Sequence, residues 1–331
     1  MNKYRVGVIG CGGIGTRHAS GLVGLENAEF VAACDISEKT LNSFNDRWAD
    51  TWPNISLYND YREMLDKENL DVVTVATPDH LHTEPVVDSA NSGVKGIFCE
   101  KPMATSLEDA DRMMQAVEKN KTILSIDHTR RWQPLWRHIK EDLVNGGNIG
   151  ELKYIVGTLS GRRASIFRNG THLIDAMIYI AQSEPEWVFA ELEEGYEDYV
   201  EYKGDGGYDP TLEPSASGYI HFKNGVRGFY TGTSKQTPAP KWRFEVVGSE
   251  AYINVSDEPV IYRKGKPEPI IPPVWDVEGI PAGAQELIEL IDVGGEPQSP
   301  AIDAYNVVQV IFGFFESQQK GNVRVNLPLS R

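Results

Sequence analysis

The sequence predicts an α/β protein with an N-terminal doubly wound parallel sheet and a C-terminal α/β domain that contains an open, largely antiparallel sheet. Two observations predict this fold class. In the first part of the chain, short β-branched runs alternate with helical patterns, which is typical of parallel βαβ units with helices on both faces. After Glu151, strand-like runs instead follow one another across tight turns, which favours antiparallel pairing.

Five β-branched runs are expected to form the first sheet. They are residues 4–9, 29–35, 71–76, 96–99 and 122–126. A chain of 331 residues exceeds the size that one hydrophobic core ordinarily supports. We therefore expect a first domain over residues 1–127 and a second domain over residues 128–331.

The second domain is predicted to contain hairpins and two helices. Asn224-Gly225 and Gly248-Ser249 each separate two strand-like runs, and Asn-Gly in this position is a strong hairpin signal. We expect a helix over 171–181 beside the sheet and a last helix over 302–318. The apolar stripe of the last helix should pack as core, and this helix could pack back on the first domain. The four runs are 219–223, 226–231, 242–247 and 251–255.

Two long irregular segments interrupt these patterns. Residues 195–214 are acidic and rich in Tyr and Gly, and residues 264–283 are rich in Pro. Long loops of this kind are often lids over a site, and a solvated surface excursion is an equally good interpretation of each.

Charge and cysteine content exclude several classes of function. Asp and Glu number 48 against 32 Lys and Arg, and a net charge of -16 argues against binding to nucleic acid or to a membrane surface. The three cysteines are odd in number and lie in apolar runs, as expected of reduced thiols. No apolar run reaches the ~18 residues of a membrane span, so we expect a soluble, cytoplasmic protein.

A glycine-rich turn predicts a dinucleotide site. Gly10-Cys11-Gly12-Gly13-Ile14-Gly15 follows the first strand and opens a helix, and Asp35 ends the next strand. The glycines allow backbone to approach a pyrophosphate, and the helix N-terminus offers free N–H groups, as in a Rossmann domain. Asp35, with Ile36 and Ser37 beside it, suits the ribose hydroxyls of NAD and would repel the additional phosphate of NADP.

Further motifs make the chain resemble the Gfo/Idh/MocA family, which is named after glucose-fructose oxidoreductase, inositol dehydrogenase and rhizopine catabolism. The resemblance covers nearly the whole chain. Besides the glycine loop, it is carried by Thr77-Pro78-Asp79-His80-Leu81-His82, Glu100-Lys101-Pro102, Arg131-Trp132-Gln133-Pro134 and Gly170-Thr171-His172-Leu173-Ile174-Asp175.

The resemblance implies a Rossmann domain, an α/β domain with an open sheet and an active site between them. It implies homodimers or homotetramers formed through that sheet, and a cis peptide bond before Pro102. Lys101 would lie beside the nicotinamide and the substrate hydroxyl, and His172 would act as acid/base or substrate ligand. The positions that would contact the cofactor, besides the glycine loop, Asp35 and Lys101, are Thr77, Pro78, His82 and Glu100.

The chemistry of the residue types agrees with these roles. Oxidation of a carbinol removes a hydroxyl proton, and histidine has an ordinary pKa near 6.5 for that exchange. Lys101 would stabilise the developing alkoxide. On the predicted helix, Asp175 and Tyr179 share a face with His172, so Asp175 could orient the imidazole.

Metal ions are not expected in the site. His80, His82 and His128 were the histidines considered as ligands, but their spacing matches no known metal loop. His128 remains a titratable candidate for catalysis or substrate binding without an assigned role.

One departure from the family's pattern concerns arginine. Arg168 stands where inositol dehydrogenase-like members usually carry Asp, and Thr129 replaces a usual Asn. Arg162, Arg163 and Arg168 could bind an anionic sugar such as a uronate, or they could pair with the chain's surplus carboxylates.

The sequence thus predicts an NAD(H)-dependent dehydrogenase or reductase acting on a sugar, cyclic polyol or sugar acid. Two alternatives remain open: redox-assisted glycoside cleavage without net cofactor change, and a non-catalytic NAD-linked sensor or scaffold.

Overall fold

The computed structural model describes residues 3–206, 208–235 and 241–330, and the chain forms two compact units. The first unit contains the chain up to Ala104 together with Glu108–Trp132 and Asp276–Ile302. The second contains Thr105–Leu107, Gln133–Trp275 and the chain from Asp303 onwards. Residues 276–302 therefore belong with the first unit, whereas the boundary after residue 127 had assigned them to the second domain.

The first unit is built on six parallel strands in the order β3-β2-β1-β4-β5-β6. All four residues of β4 and all four of β5 are buried, as expected of parallel strands covered by helices on both faces. The doubly wound sheet is confirmed. Its elements are β1 (Tyr4–Ile9), α1 (Gly13–Ser20), β2 (Ala28–Cys34), α2 (Glu38–Trp48), β3 (Ser56–Tyr58), α3 (Tyr61–Glu68), β4 (Val72–Val75), α4 (Thr83–Asn91), β5 (Gly96–Cys99), α5 (Leu107–Asn120) and β6 (Ile123–Ile126).

The second unit is built on nine strands in the order β14-β13-β12-β11-β7-β10-β9-β8-β15. Its pairs are antiparallel apart from β7 with β10, so the largely antiparallel sheet is confirmed, and Asn224-Gly225 joins β9 to β10 as predicted. The elements that follow β6 in the chain are α6 (Pro134–His138), β7 (Leu152–Ser160), α7 (Thr171–Ala181), β8 (Pro185–Leu192), β9 (Ala216–Phe222), β10 (Arg227–Thr233), β11 (Trp242–Gly248), β12 (Ala251–Val255), β13 (Val260–Arg263), β14 (Lys266–Pro269), α8 (Ile280–Val293), α9 (Ala301–Gln319) and β15 (Val325–Asn326).

Helix α7 packs closely on the second sheet because a glycine faces it. A Cβ added to Gly157 on β7 would lie 2.6 Å from Leu173 Cδ1 and 2.6 Å from Met177 Cε. Helix α9 contributes Ile311 and Phe314 to the same core, so its apolar stripe packs as core in the second unit. The sheet and α9 thus hold α7 in a defined position.

Helix α8 was not predicted from the sequence, in which residues 264–283 have the composition of an irregular segment. Leu287 and Ile288 of α8 are buried in the core of the first unit. The close approach depends on small residues, because a Cβ added to Gly283 would lie 2.8 Å from Phe98 Cζ on β5. The helix thereby covers part of the parallel sheet.

Gly21 provides a direct test of the packing between α1 and α8. A Cβ at this position would lie 2.4 Å from the Pro281 carbonyl oxygen, although the backbone of Gly21 is in the right-handed helical region, which alanine adopts freely. We expect Gly21→Ala to lower the free energy of unfolding by about 1–3 kcal/mol, because backbone must shift to make room.

Gly12→Ala is the matched control, because its Cβ would meet no atom within 4 Å. Thermal or urea unfolding of the cofactor-free protein measures both variants. Equal effects of the two substitutions would contradict the packing described for α1 and α8.

Candidate functional site

The glycine loop between β1 and α1 is shaped by close backbone contacts on one side and open space on the other. Gly10 has φ +93°, and a Cβ there would lie 2.5 Å from the Ala76 carbonyl oxygen. A Cβ on Gly15 would lie 1.9 Å from the Gly10 carbonyl oxygen, whereas Gly12 and Gly13 would meet nothing within 4 Å. The turn is tight internally and leaves room outside it for a ligand to approach the backbone.

The start of α1 suits an anion. The helix begins at Gly13, and Gly12 at the N-cap position supplies no side-chain cap to the first N–H groups. These groups and the helix dipole favour negative charge at this end. The loop therefore fits the pyrophosphate of a dinucleotide, as the sequence predicted.

Asp35 is fixed beside this loop at the end of β2. Its Oδ2 accepts a hydrogen bond from the Cys11 N–H at 2.9 Å, and its Oδ1 accepts one from the Ser37 N–H at 2.8 Å. Each carboxylate oxygen keeps a further lone pair for a ribose hydroxyl. The neighbouring Ile36 is 91% exposed and brings no positive charge that would compensate a phosphate.

His82 connects the two loops that follow β4 and β5. Its Nδ1 lies 2.8 Å from the Pro102 carbonyl oxygen, and its Nε2 lies 2.9 Å from the Thr77 carbonyl oxygen. The Lys101-Pro102 peptide bond is cis, as the resemblance implied. His82 is buried, so its contacts with these carbonyls support a structural link between the segments that carry Pro78 and Lys101.

A cluster of three buried ionisable side chains includes Glu100, the residue that precedes Lys101. His18 Nε2 is 3.4 Å from Glu100 Oε1 and 4.0 Å from Asp127 Oδ2. The three side chains come from α1, the end of β5 and the end of β6, and all are buried. Thr129 Oγ1 donates a hydrogen bond to Asp127 Oδ1 at 3.0 Å. Glu100 was predicted from the sequence as a cofactor residue, whereas its partner His18 was not predicted.

The two carboxyl groups of this cluster have opposite tendencies. Burial raises the pKa of Asp127 well above its ordinary value, and the charge of Glu100 and a hydrogen bond with it raise it further. Burial also acts to raise the pKa of Glu100, but hydrogen bonds with His18 and Asp127 and the charges of His18 and Lys101 lower it to about 2. These opposite directions favour the proton on Asp127 and the negative charge on Glu100 when the pair shares one proton.

The cluster also has the donor set of a small metal site. Among the described residues, His18, Glu100 and Asp127 form the one group of three or more such donors whose ligand atoms all lie within 4.8 Å of one another. His80, His82 and His128, the histidines first considered as ligands, are not part of it. The proton on Asp127 offers another way to balance the buried charge.

Helix α7 presents one accessible polar residue. His172 is half-buried, whereas every other residue of this helix, including Asp175 and Tyr179, is buried. The Lys140 ammonium lies 4.2 Å from the Tyr179 ring centroid, a cation–π contact that fixes this part of the helix. Lys101, also half-buried, lies in the first unit, and His172 lies in the second.

His128 and the arginines occupy different surroundings. His128 is fully buried in the first unit. Arg162, Arg163 and Arg168 lie together in the second unit and line one pocket, whose volume is 370 Å³. The pocket is also lined by Tyr208, a residue of the long acidic segment for which a lid and a solvated surface excursion were equally good interpretations.

Comparison with known proteins identifies both parts of the chain. Residues 4–128 match the profile of GFO_IDH_MocA, described as an oxidoreductase family with an NAD-binding Rossmann fold, and residues 136–254 match the GFO/IDH/MocA C-terminal domain. Myo-inositol 2-dehydrogenase of Thermotoga maritima is 30% identical over 276 residues, which are 78% of this chain and 77% of that protein.

Solved structures share the fold over its full length. The aldose-aldose oxidoreductase of Caulobacter crescentus, in complex with glycerol, has a TM-score of 0.82 at 20% identity and covers 98% of this chain and 100% of its own. An oxidoreductase of Agrobacterium radiobacter, in complex with NAD+, L-tartaric acid and magnesium, has a TM-score of 0.81 at 19% identity and covers 98% of both chains. Within residues 3–206, 208–235 and 241–330, no helix combines the length and apolar character needed to cross a membrane.

The buried cluster makes a prediction about stability against pH. The ordinary pKa of Glu100 is 4.5 and its folded value is about 2, so ionised Glu100 stabilises the fold above pH 4.5 and this contribution disappears as pH falls towards 2. Asp127 has the opposite effect on stability, because its raised pKa makes folding less favourable as pH rises above 3.8.

The free energy of unfolding of Glu100→Gln should therefore be lower than that of the natural chain by about 1–3 kcal/mol at pH 7, and this difference should shrink progressively as pH falls from 4.5 towards 2. The side chain of Asp127→Asn cannot ionise at any pH. The free energy of unfolding of this variant should therefore increase relative to that of the natural chain as pH rises from 4 to 7. Urea unfolding of the cofactor-free protein in EDTA measures both differences. Parallel pH profiles for the two variants would refute the shared-proton arrangement.

Proposed function

Because the chain belongs to the Gfo/Idh/MocA family and is an NAD-dependent oxidoreductase, we propose that it transfers a hydride to or from a carbinol carbon of a sugar, cyclic polyol or sugar acid. The observation that carries this proposal is the glycine loop with the Asp35 carboxylate held against it. The resemblance to myo-inositol 2-dehydrogenase over 78% of the chain supports a polyol or sugar as substrate class.

The residues of the first unit fit the cofactor. The open side of Gly12 and Gly13 and the N-terminus of α1 would hold the pyrophosphate, and Asp35 would accept the ribose hydroxyls. Bound NAD supplies the acceptor or donor of the hydride. Thr77 and Pro78 follow β4 at the carboxyl edge of the sheet, the edge where dinucleotides bind in folds of this type.

Proton transfer is assigned to Lys101 and His172. When hydride leaves the carbinol carbon, the hydroxyl must lose its proton, and the His172 imidazole would accept it. The Lys101 ammonium would stabilise the alkoxide, and the buried Asp175 on the same helical face would orient His172. The complete burial of His128 supports a structural role for that residue.

The second sheet supports a homo-oligomer. Its strands β8, β9 and β10 carry Trp187, Phe189, Tyr219 and Phe229, whose rings stack or meet edge to face. Phe189 is 42% exposed and Phe229 is 38% exposed, a contiguous apolar face of the kind that protein partners cover. We accordingly assign homodimerisation or homotetramerisation to this sheet. The three cysteines are buried free thiols, which agrees with a reducing cytoplasm.

A substrate panel tests the proposed function. Polyols, aldoses, uronates and glycosides are incubated with the enzyme and NAD, and NADH absorbance and carbohydrate products are measured together. We expect NADH to accumulate with at least one polyol, sugar or sugar acid. Cleaved glycoside without NADH would establish the redox-neutral reaction instead, and NAD binding without any altered carbohydrate would refute catalysis.

The roles of Lys101 and His172 can be separated from folding. Lys101→Met and His172→Asn should each lower turnover by about 100-fold, because a positioned proton-transfer or charge-stabilising group is lost, while NAD affinity changes little. Lys95→Met is the matched control, since Lys95 precedes β5 and Lys101 follows it, so the two lie at opposite ends of one strand. Near-normal turnover of either site variant would remove that residue from the proposed mechanism.

Cofactor preference tests Asp35. The natural chain should bind NAD more tightly than NADP. Asp35→Ala should weaken NAD binding by roughly 10-fold and reduce the difference between the affinities for NAD and NADP. Asp35→Asn removes the charge and retains a hydrogen-bond acceptor. It should therefore reduce the preference for NAD over NADP with a smaller loss of NAD affinity than Asp35→Ala. Asp46→Ala, at an exposed position on α2, is the control. Tighter NADP than NAD binding by the natural chain would overturn the assignment.

A further inference from the structure

We propose that Arg162, Arg163 and Arg168 form a recognition site for a carboxylate of the substrate, and hence that the substrate is a sugar acid. This inference rests on the proposed oxidoreductase function and narrows its substrate class. The three guanidinium groups line one pocket of 370 Å³ in the second unit, together with Ser165, Tyr208 and Pro210. Pockets of this size are typical of small-molecule ligands.

The arginines are carried by a segment whose other residues are buried. After β7 the chain turns at Gly161, and Ala164, Ile166 and Phe167 then enter the core of the second unit. The Ile166 N–H donates to the Pro214 carbonyl at 2.9 Å, and the Phe167 N–H donates to Glu213 Oε2 at 3.3 Å. These anchors fix the backbone that carries the exposed side chains of Arg162 and Arg163.

The opposite wall of the pocket belongs to the acidic loop before β9. Arg168 Nη1 donates to the Gly206 carbonyl at 3.0 Å, which ties this loop to the arginine segment. Tyr208 is 83% exposed, and its N–H donates to Asp205 Oδ1 at 2.8 Å. The pocket is therefore formed by two segments with hydrogen-bonded backbones, and a phenol ring stands at its edge.

Charge in the pocket is positive although the chain is strongly acidic. Within the described part of the chain, neither Arg162 nor Arg163 forms an ion pair, whereas the net charge of the sequence is -16. Both side chains are exposed. The interpretation in which these two arginines pair with surplus carboxylates therefore finds no direct ion pair among the described residues, although Asp209 is close enough for the charge of Arg162 to lower its pKa.

The acidic side chains near the pocket are engaged with their own loop. Hydrogen bonds from Thr211, and then the charge of Arg162, lower the pKa of Asp209, which caps Thr211 through its Oδ1. Asp205 accepts the N–H groups of Tyr208 and Asp209, and buried Glu213 accepts that of Phe167. The guanidinium groups of Arg162 and Arg163, which form no ion pair among the described residues, can therefore bind a ligand anion through paired N–H donors.

The pocket is connected to the proposed proton acceptor by a short helical segment. Arg168 lies in a π-helical turn, Ile166–Gly170, that runs directly into α7, where His172 is the second residue. Four helical residues advance about 6 Å along an axis. A carboxylate held near Arg168 would thus leave the carbinol carbons of a small sugar acid within reach of this end of α7.

Paired substrates test the inference. D-glucose, D-glucuronate and D-glucose 6-phosphate differ in charge on one skeleton, and further aldose, uronate and aldonate sets extend the series. Arg162→Gln, Arg163→Gln and Arg168→Gln are compared with Arg47→Gln, a control at an exposed position on α2 of the first unit. We expect each pocket variant to raise KM for the uronate or aldonate by about 10-fold or more, with kcat/KM for neutral partners unchanged.

Calorimetric binding of the same compounds to the NAD-loaded enzyme distinguishes this inference from the proposed function. Carboxylate binding that depends on the arginines, without turnover, would retain the recognition site and refute the oxidoreductase proposal for these substrates. Turnover in which no carboxylate binds more tightly than its neutral partner would overturn the recognition site alone. Preference for the 6-phosphate over every carboxylate, or equal loss on neutral and anionic substrates in the variants, would also overturn it.

Discussion

The first unit depends on three buried ionisable groups that must share their charge. His18, Glu100 and Asp127 meet within 4.8 Å, where unpaired charge would cost several kcal/mol. Because they come from α1, the end of β5 and the end of β6, their pairing sets the helix of the glycine loop against the two loops beside it. Lys101 follows Glu100 immediately, so the same constraint fixes the backbone that carries the proposed catalytic ammonium.

The two units carry two different kinds of candidate site. At the glycine loop, recognition relies on backbone N–H groups and absent side chains, which suits a cofactor with an invariant pyrophosphate. In the second unit, the proposed recognition of a carboxylate would rely on long arginine side chains around a pocket. This division explains how one fold can keep its cofactor while its substrate changes.

Periodicity and local motifs predicted much of the fold. The strands β4 and β5 are continuously buried, and α7 was predicted with the same bounds that the structure gives. Helix α8 was missed because Pro281 and Gly283 suggested a loop, although Pro is compatible with a first helical turn. Its apolar residues Ile280, Ala284, Leu287 and Ile288 carried a helical spacing that could have identified it.

The candidate site was less accessible to sequence reasoning. His18 and Asp127 are far apart in the chain, and nothing local indicates that they meet Glu100. The pocket needed Tyr208 from an irregular loop, whose path has no periodic signal.

The most direct test of the central claim is deuterium transfer from carbinol-deuterated polyols and sugar acids to NAD, followed by NMR. The account predicts deuterium on the nicotinamide ring with at least one substrate; bound NAD that gains none from any of them would contradict it.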